Sequence, residues 1–122
     1  MNSYTNLTLL PLTVYGTPSG NYNGSSTTFV GNSIPAANYY AGQGAIQALT
    51  YTIDGLVAVI TIQATLENDT PQAAWFNIHS YGNASTPTTS TYANSVIGNF
   101  SHLRAVVTDF TAGNITSVTA AY

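Results

Sequence analysis

Apolar and β-branched residues alternate with polar ones in short bursts along this chain, and clusters of Gly, Pro, Asn and Ser separate the bursts. A period of two is the mark of a half-buried strand, and no stretch takes up the 3.6 period of an amphipathic helix. The clearest burst is 44–66, GAIQALTYTIDGLVAVITIQATL. Asp54-Gly55 separates two apolar runs, and Asp-Gly suits the positive φ angles of a type I′ hairpin turn. Such a turn sets Ile53 opposite Leu56, Tyr51 opposite Ala58, Leu49 opposite Ile60 and Gln47 opposite Ile62. Leu49, Tyr51, Ile53, Leu56, Ala58, Ile60 and Ile62 then share the core face. Thr50, Thr52, Val57, Val59 and Thr61 share the other, and a slip of one residue would exchange the two.

The rest of the chain reads the same way. Pro71 ends any continuation of the second run, and 75–79 (WFNIH) predicts a strand. Residues 80–95, rich in Ser and Thr, read as a loop carrying at most one weak edge strand. A strand over 100–110 places Leu103, Ala105 and Val107 on one side; Thr111 to Asn114 reverses the chain, and 114–122 closes the sheet. Upstream, Pro11 within Leu7 to Val14 suits an edge strand, or an arm reaching to a neighbouring copy. Residues 15–26 read as a loop and 27–31 as a short strand. The expectation is one all-β domain, an antiparallel β-sandwich of jelly-roll or Ig-like kind with about seven or eight short strands in two stacked sheets. Residues 1–33 form its arm or edge strand and loop, and 34–122 the sandwich.

Charge then narrows the functional classes. Of 122 residues only 4% are charged, Arg104 is the one fixed cation, and Asp54, Glu67, Asp69 and Asp109 bring the net charge to −3. One arginine cannot track a phosphate backbone, so nucleic acid is not an expected partner. Neither a polybasic patch nor an apolar run of spanning length argues for membrane insertion. With no Cys, thiol chemistry and disulfides are excluded. The opening MNSYTNLTLL lacks the pattern of a secretory signal, so the six N-x-[ST] sequons are expected to be unmodified. Surface polarity must come instead from 19 Thr, 12 Asn and 11 Ser, which leave little charge to hold copies apart.

Candidate chemistry is thin. His79, His102, Asp109 and the many hydroxyls are the ingredients of a nucleophile–base–orienter set, yet no G-x-S-x-G elbow accompanies them. Glu67 and Asp69 could bring two carboxylates to one calcium ion, although solvated loop acids are the default reading. No catalytic residue, metal site or cofactor is assigned. Aromatic side chains are the better candidates for contact: Trp75 as a stacking platform or, by the stronger reading, a core residue; Tyr81; and Tyr39-Tyr40 as a subunit contact or solvent-facing loop. Asp54 and Gly55 are assigned to the turn, and Arg104 to a structural ion pair with Asp109 or another acid.

The run from 34 to 78, ending in Ile62 to Leu66, the acidic Pro-containing Glu67 to Pro71 and then Trp75 to Ile78, is followed by a Gly98 to Ile115 block. Together these resemble a family of small all-β virion proteins of tailed bacteriophages, particularly T4-like phages of marine cyanobacteria. Residues 34–122 carry the resemblance; Ser101-His102 depart from it, where the family has an aromatic or large apolar residue after the Phe. The resemblance implies no catalytic residue. It implies a structural, non-enzymatic part of a virion, a capsid decoration protein or a tail or fibre component. Its partners would be copies of itself and other virion proteins. The alternative is a carbohydrate-binding attachment module that meets a host surface glycan.

Overall fold

A computed structural model describes residues 6–36, 46–66, 74–98 and 100–121. The fold is all-β: seven strands in one antiparallel sheet, with no helix among the described residues. They are β1 (Asn6–Leu10), β2 (Thr13–Val14), β3 (Phe29–Val30), β4 (Ile34–Pro35), β5 (Ile46–Thr65), β6 (Phe76–Ile97) and β7 (His102–Ala121). The three long strands lie in the order β7-β5-β6. β1, β2, β3 and β4 pair one after another along the far side of β7, so four fragments make a fourth lane.

The long strands correct the expectation of short ones. Asp54-Gly55 does not reverse the chain: β5 continues through it, with register shifts between Ile53 and Leu56 against β6 and between Asp54 and Val57 against β7. A straight strand of 20 residues would run about 66 Å, whereas a compact chain of this length is about 35 Å across. β5 therefore has to bend, and it does so at Gly55, whose φ is +60°. A one-residue bulge switches the inward-facing parity as a two-residue hairpin would. Leu49, Tyr51 and Ile53 face the core on one side of Gly55, and Leu56, Ala58, Ile60 and Ile62 on the other, each 2% exposed or less. The predicted core face is thus correct and the predicted turn is not.

Its neighbours bend at the same level. β7 carries Asp109 at φ 56° and Gly113 at φ 87°, so Thr111 to Asn114 is a kink within one strand and not the expected reversal. β6 spends residues 84–87 as an excursion between Asn83, opposite Ala58, and Thr88, opposite Leu56. Asn83 Oδ1 accepts from the Ser85 and Thr86 amides and shapes that excursion. Thr89 of β6 pins the bulge from the side: its Oγ1 accepts from the Gly55 amide at 2.8 Å and donates to Asp54 Oδ1 at 3.3 Å.

Bending folds the sheet onto itself, so one sheet supplies both layers that two stacked sheets were expected to supply. The first half-sheet holds Ile46 to Ile53 with the segments they pair; the second holds Leu56 to Thr65 with theirs. Leu49, Ile53 and Val118 from the first join Ile60, Ile62, Leu103 and Val107 from the second in one core cluster. Beside the bend, the loop expected at 15–26 brings in Tyr22, 1% exposed, whose ring meets Phe29 and Phe110 at 5.1 Å each. The expected arm is likewise built into this chain's own sheet from Asn6 onward. β1 pairs with β7, and Leu9 and Leu10 are both 1% exposed: a register shift between Thr8 and Leu10 lets two adjacent leucines leave water together.

Two glycines at the bend differ in what surrounds them. A side chain at Gly55 would meet nothing, whereas one at Gly113 would meet the Gly55 carbonyl oxygen and Leu56 Cα well inside contact distance. Gly55→Ala is therefore expected to cost about 1–2 kcal/mol, the strain of a left-handed backbone alone. Gly113→Ala should cost about 3 kcal/mol or more, since strain and backbone overlap add. Urea unfolding midpoints measure both, and equal losses would contradict this account of the bend.

Candidate functional site

Where the two half-sheets meet along β6, no fifth lane closes the sandwich among the described residues, and four rings fill the seam. Tyr51 and Tyr92 are partners across β5 and β6 in the first half-sheet, while His79 and Tyr81 sit on β6 opposite Ile62 and Ile60 in the second. Tyr81 and Tyr92 stack at 4.5 Å with an interplanar angle of 10°, and Tyr92 lies nearly parallel to His79 at 6.1 Å. Two polar bonds tie the seam: Tyr51 Oη to His79 Nδ1 at 2.6 Å, and Tyr81 Oη to Ser90 Oγ. Tyr81, read from the sequence as a candidate contact residue, is thus a closure residue of this chain.

The seam's electrostatics favour neutral groups. Burial, and secondarily the neighbouring Tyr92, push the Tyr51 phenol far above the usual tyrosine range, so it stays a hydroxyl. Burial also lowers His79 below its ordinary value, which keeps the ring neutral at neutral pH. A protonated phenol donating to an unprotonated Nδ1 satisfies both. Such a pair joins two layers; with the phenol held neutral, it supplies no general base from Tyr51.

The outward face of the second half-sheet carries a different group. Gln63 is opposite Arg104 on one side and Asn77 on the other, so the three form a row across β7, β5 and β6. Arg104 Nε donates to Gln63 Oε1 at 2.8 Å, and Gln63 Nε2 donates to Asn77 Oδ1 at 3.0 Å. The guanidinium carbon stands 4.3 Å from the centre of the Trp75 ring. Trp75 is therefore half-buried on the outside, not in the core, and it stacks on this chain's own cation. Asp109 is not the partner of Arg104: it sits five residues along, exposed, at the bend. The kink at Asp109 breaks the alternation of β7, and the carboxylate stands at the bend instead of in the Arg104 row.

Asp54 and Gly55 remain structural, at the bulge instead of a hairpin turn. Tyr39, Tyr40, Glu67 and Asp69 lie outside the described residues. Among the described residues no group of three or more His, Asp and Glu could hold a metal ion. Sequence reasoning missed Tyr51, His79 and Tyr92 as one cluster, and Gln63 and Asn77 as partners of Arg104. The signal was present only as register: 75–79 reads as a strand with no pairing partner fixed, and with Asp54-Gly55 read as a hairpin and 80–95 as a loop, neither row could be lined up.

The third feature is an edge. β6 ends the order β1-β7-β5-β6, and no strand among the described residues pairs with its far side. Its 22 residues contain no charged side chain, and none of them is buried. From Thr88 to Ile97 there is neither Gly nor Pro.

No protein-family model matches this chain, and no curated protein matches it.

The His79 bond yields a pH prediction. Because His79 is lowered in the folded state, the unfolded chain binds the extra proton first as pH falls through about 6.5. The neutral-histidine contribution to stability is thus full above that pH and is lost on descending from it towards the folded value. The wild-type unfolding free energy is expected to fall more between pH 7.5 and pH 5 than that of His79→Gln. Tyr51→Phe, which strips the half-buried His79 Nδ1 of its donor, should cost about 1 kcal/mol at pH 7.5. Parallel pH profiles for wild type and His79→Gln would remove His79 as the titrating group.

Proposed function

We propose that this protein is a non-enzymatic structural subunit that associates with copies of itself, as a component of a tailed-phage particle. Capsid decoration and a place in the tail or fibre are both compatible with that role. The observation that carries self-association is the open edge of β6. Unpaired backbone N–H and C=O groups along a strand edge invite another strand, and natural sheets ordinarily blunt such edges with lysine or inward-pointing charge. Here the edge bears no charge at all. Sister copies presenting the same edge meet antiparallel about a two-fold axis, with no like charges opposed. The outward face of the first half-sheet is also neutral: Thr50, Thr52, Ala93, Thr91, Ser117 and Thr119 occupy it. The assignment to a phage particle draws on the resemblance over residues 34–122.

A second reading, a carbohydrate-binding attachment module, is favoured by one feature: the outward-facing Arg104 held between Trp75 and Gln63.

Light scattering after size exclusion tests the first reading. Wild-type protein is expected to run as a dimer or larger at micromolar concentration. Thr91→Lys with Ser95→Lys, two substitutions on the outward side of β6, should return it to monomer while leaving the unfolding midpoint nearly unchanged. A wild-type monomer under these conditions would remove the reading.

A further inference from the structure

The geometry points to a second role for the row Arg104–Gln63–Asn77: a receptor for the carboxylate of an acidic saccharide, a uronic acid or similar sugar acid within a polysaccharide. This refines the attachment reading and stands apart from self-association.

The charge pattern gives the first reason. In a chain with one fixed cation, the two described acids, Asp54 and Asp109, both lie at the bend, and neither bonds Arg104. Position gives the second. Leu103 and Ala105 of β7, and Ile62 and Ala64 of β5, are fully buried, so the residues alternating with them, Arg104 and Gln63, point to the outside of the sheet.

Orientation gives the third. Gln63 holds the guanidinium along its Nε edge, and the Trp75 ring lies against its face. The two Nη nitrogens have no hydrogen-bond partner among the described residues. A guanidinium with both Nη groups available offers a planar fork that matches the two oxygens of a carboxylate. Because two neighbours already fix its plane, a ligand has little side-chain freedom left to remove.

The surroundings select a sugar acid over other anions. Next to Arg104 the described residues of the face carry no Asp, Glu or Lys and are rich in hydrogen-bonding groups: the Asn77 amide in the same row, and the Thr61 and Ser80 hydroxyls, 3.1 Å apart, in the next. One cation beside neutral amides and hydroxyls complements one carboxylate beside several sugar hydroxyls. A polyphosphate would need several cations where only one is present.

Calorimetric titration of the full-length chain tests this, with an oligogalacturonate as the probe and a neutral galactose oligomer of equal length as the control. The single Trp gives an independent fluorescence readout, since its ring lies against the binding guanidinium. Saturable binding of the uronate oligomer is expected, at least about tenfold tighter than the neutral one. Arg104→Lys, which keeps the charge and loses the fork, should weaken it by about tenfold, and Arg104→Gln should abolish it. Asn77→Ala, at an exposed position, gives a milder loss without touching the stacked pair. No saturable uronate binding, equal affinity for the neutral oligomer, tighter binding of a polyglutamate peptide, or undiminished binding by Arg104→Gln would each overturn the assignment. Light scattering on the same samples keeps the outcome separate from self-association, which could persist or fail independently.

Discussion

Everything in this molecule depends on how a strand twice as long as the domain is wide turns back over itself. β5 does so at one residue, Gly55, where an extra position in the strand switches which parity faces inward. Because hydrogen bonding to β6 and β7 resumes on both sides of the bulge, the flanking strands must bend at the same level. They do so with residue types that tolerate it: Asp109 and Gly113 in β7, and the Asn83-led excursion in β6. The core is the inner surface of this folded ribbon. The aromatic seam of Tyr51, His79, Tyr81 and Tyr92 is what the fold uses where the ribbon's two halves meet without a connecting strand.

This explains why the sequence was legible in one respect and misleading in another. The inward positions of β5 follow directly from alternation, because burial depends on parity and both a hairpin and a bulge produce the same switch at Asp54-Gly55. What parity cannot distinguish is whether the chain then runs back or runs on. Thr111 to Asn114 poses the same ambiguity, since Gly113 takes a positive φ in a kink as it would in a turn. β6 failed for a different reason. All 22 of its residues keep some exposure, so selection for an apolar face is weak and Ser, Thr, Asn and Pro87 accumulate there as they would in a loop. Its strand character is imposed by pairing with β5, a tertiary effect that outweighs local preference. Tyr81 and Tyr92 of the aromatic seam fall in the stretch that reads as a loop, whereas Asn77 lies in the strand expected at 75–79, and only its pairing with Gln63 was hidden.

The scarcity of charge has a structural side as well. A cation placed in a sheet is usually matched by an acid, and the sequence contains four acids from which to choose. Arg104 instead takes a neutral amide and an aromatic face. Such partners orient a guanidinium without neutralising it. An ion pair would have served stability modestly at best on an exposed face, and it would have removed the one positive charge from the surface. Leaving that charge without an acid partner among the described residues while fixing its direction is a poor way to stabilise a sheet, and a sound way to hold a carboxylate.

The two edges of the sheet are unequal, and that inequality limits how copies can combine. Beyond β7 the edge is broken into four pieces, one of them ending at Pro35, and loops cross between them. Beyond β6 it is continuous for ten residues from Thr88. If copies pair through that edge, each has one such surface, and the pairing of like with like closes after two. Growth past a dimer then has to use sheet faces, not edges. The first half-sheet offers Ile46 and Ile97, paired across the strands and 52% and 78% exposed, at one end of a face otherwise made of Thr, Ser and Ala. Two exposed isoleucines on an uncharged surface offer an apolar anchor for such a contact. They lie on the opposite half of the ribbon from Arg104, so an assembly built through edges and this face would leave the arginine turned outward.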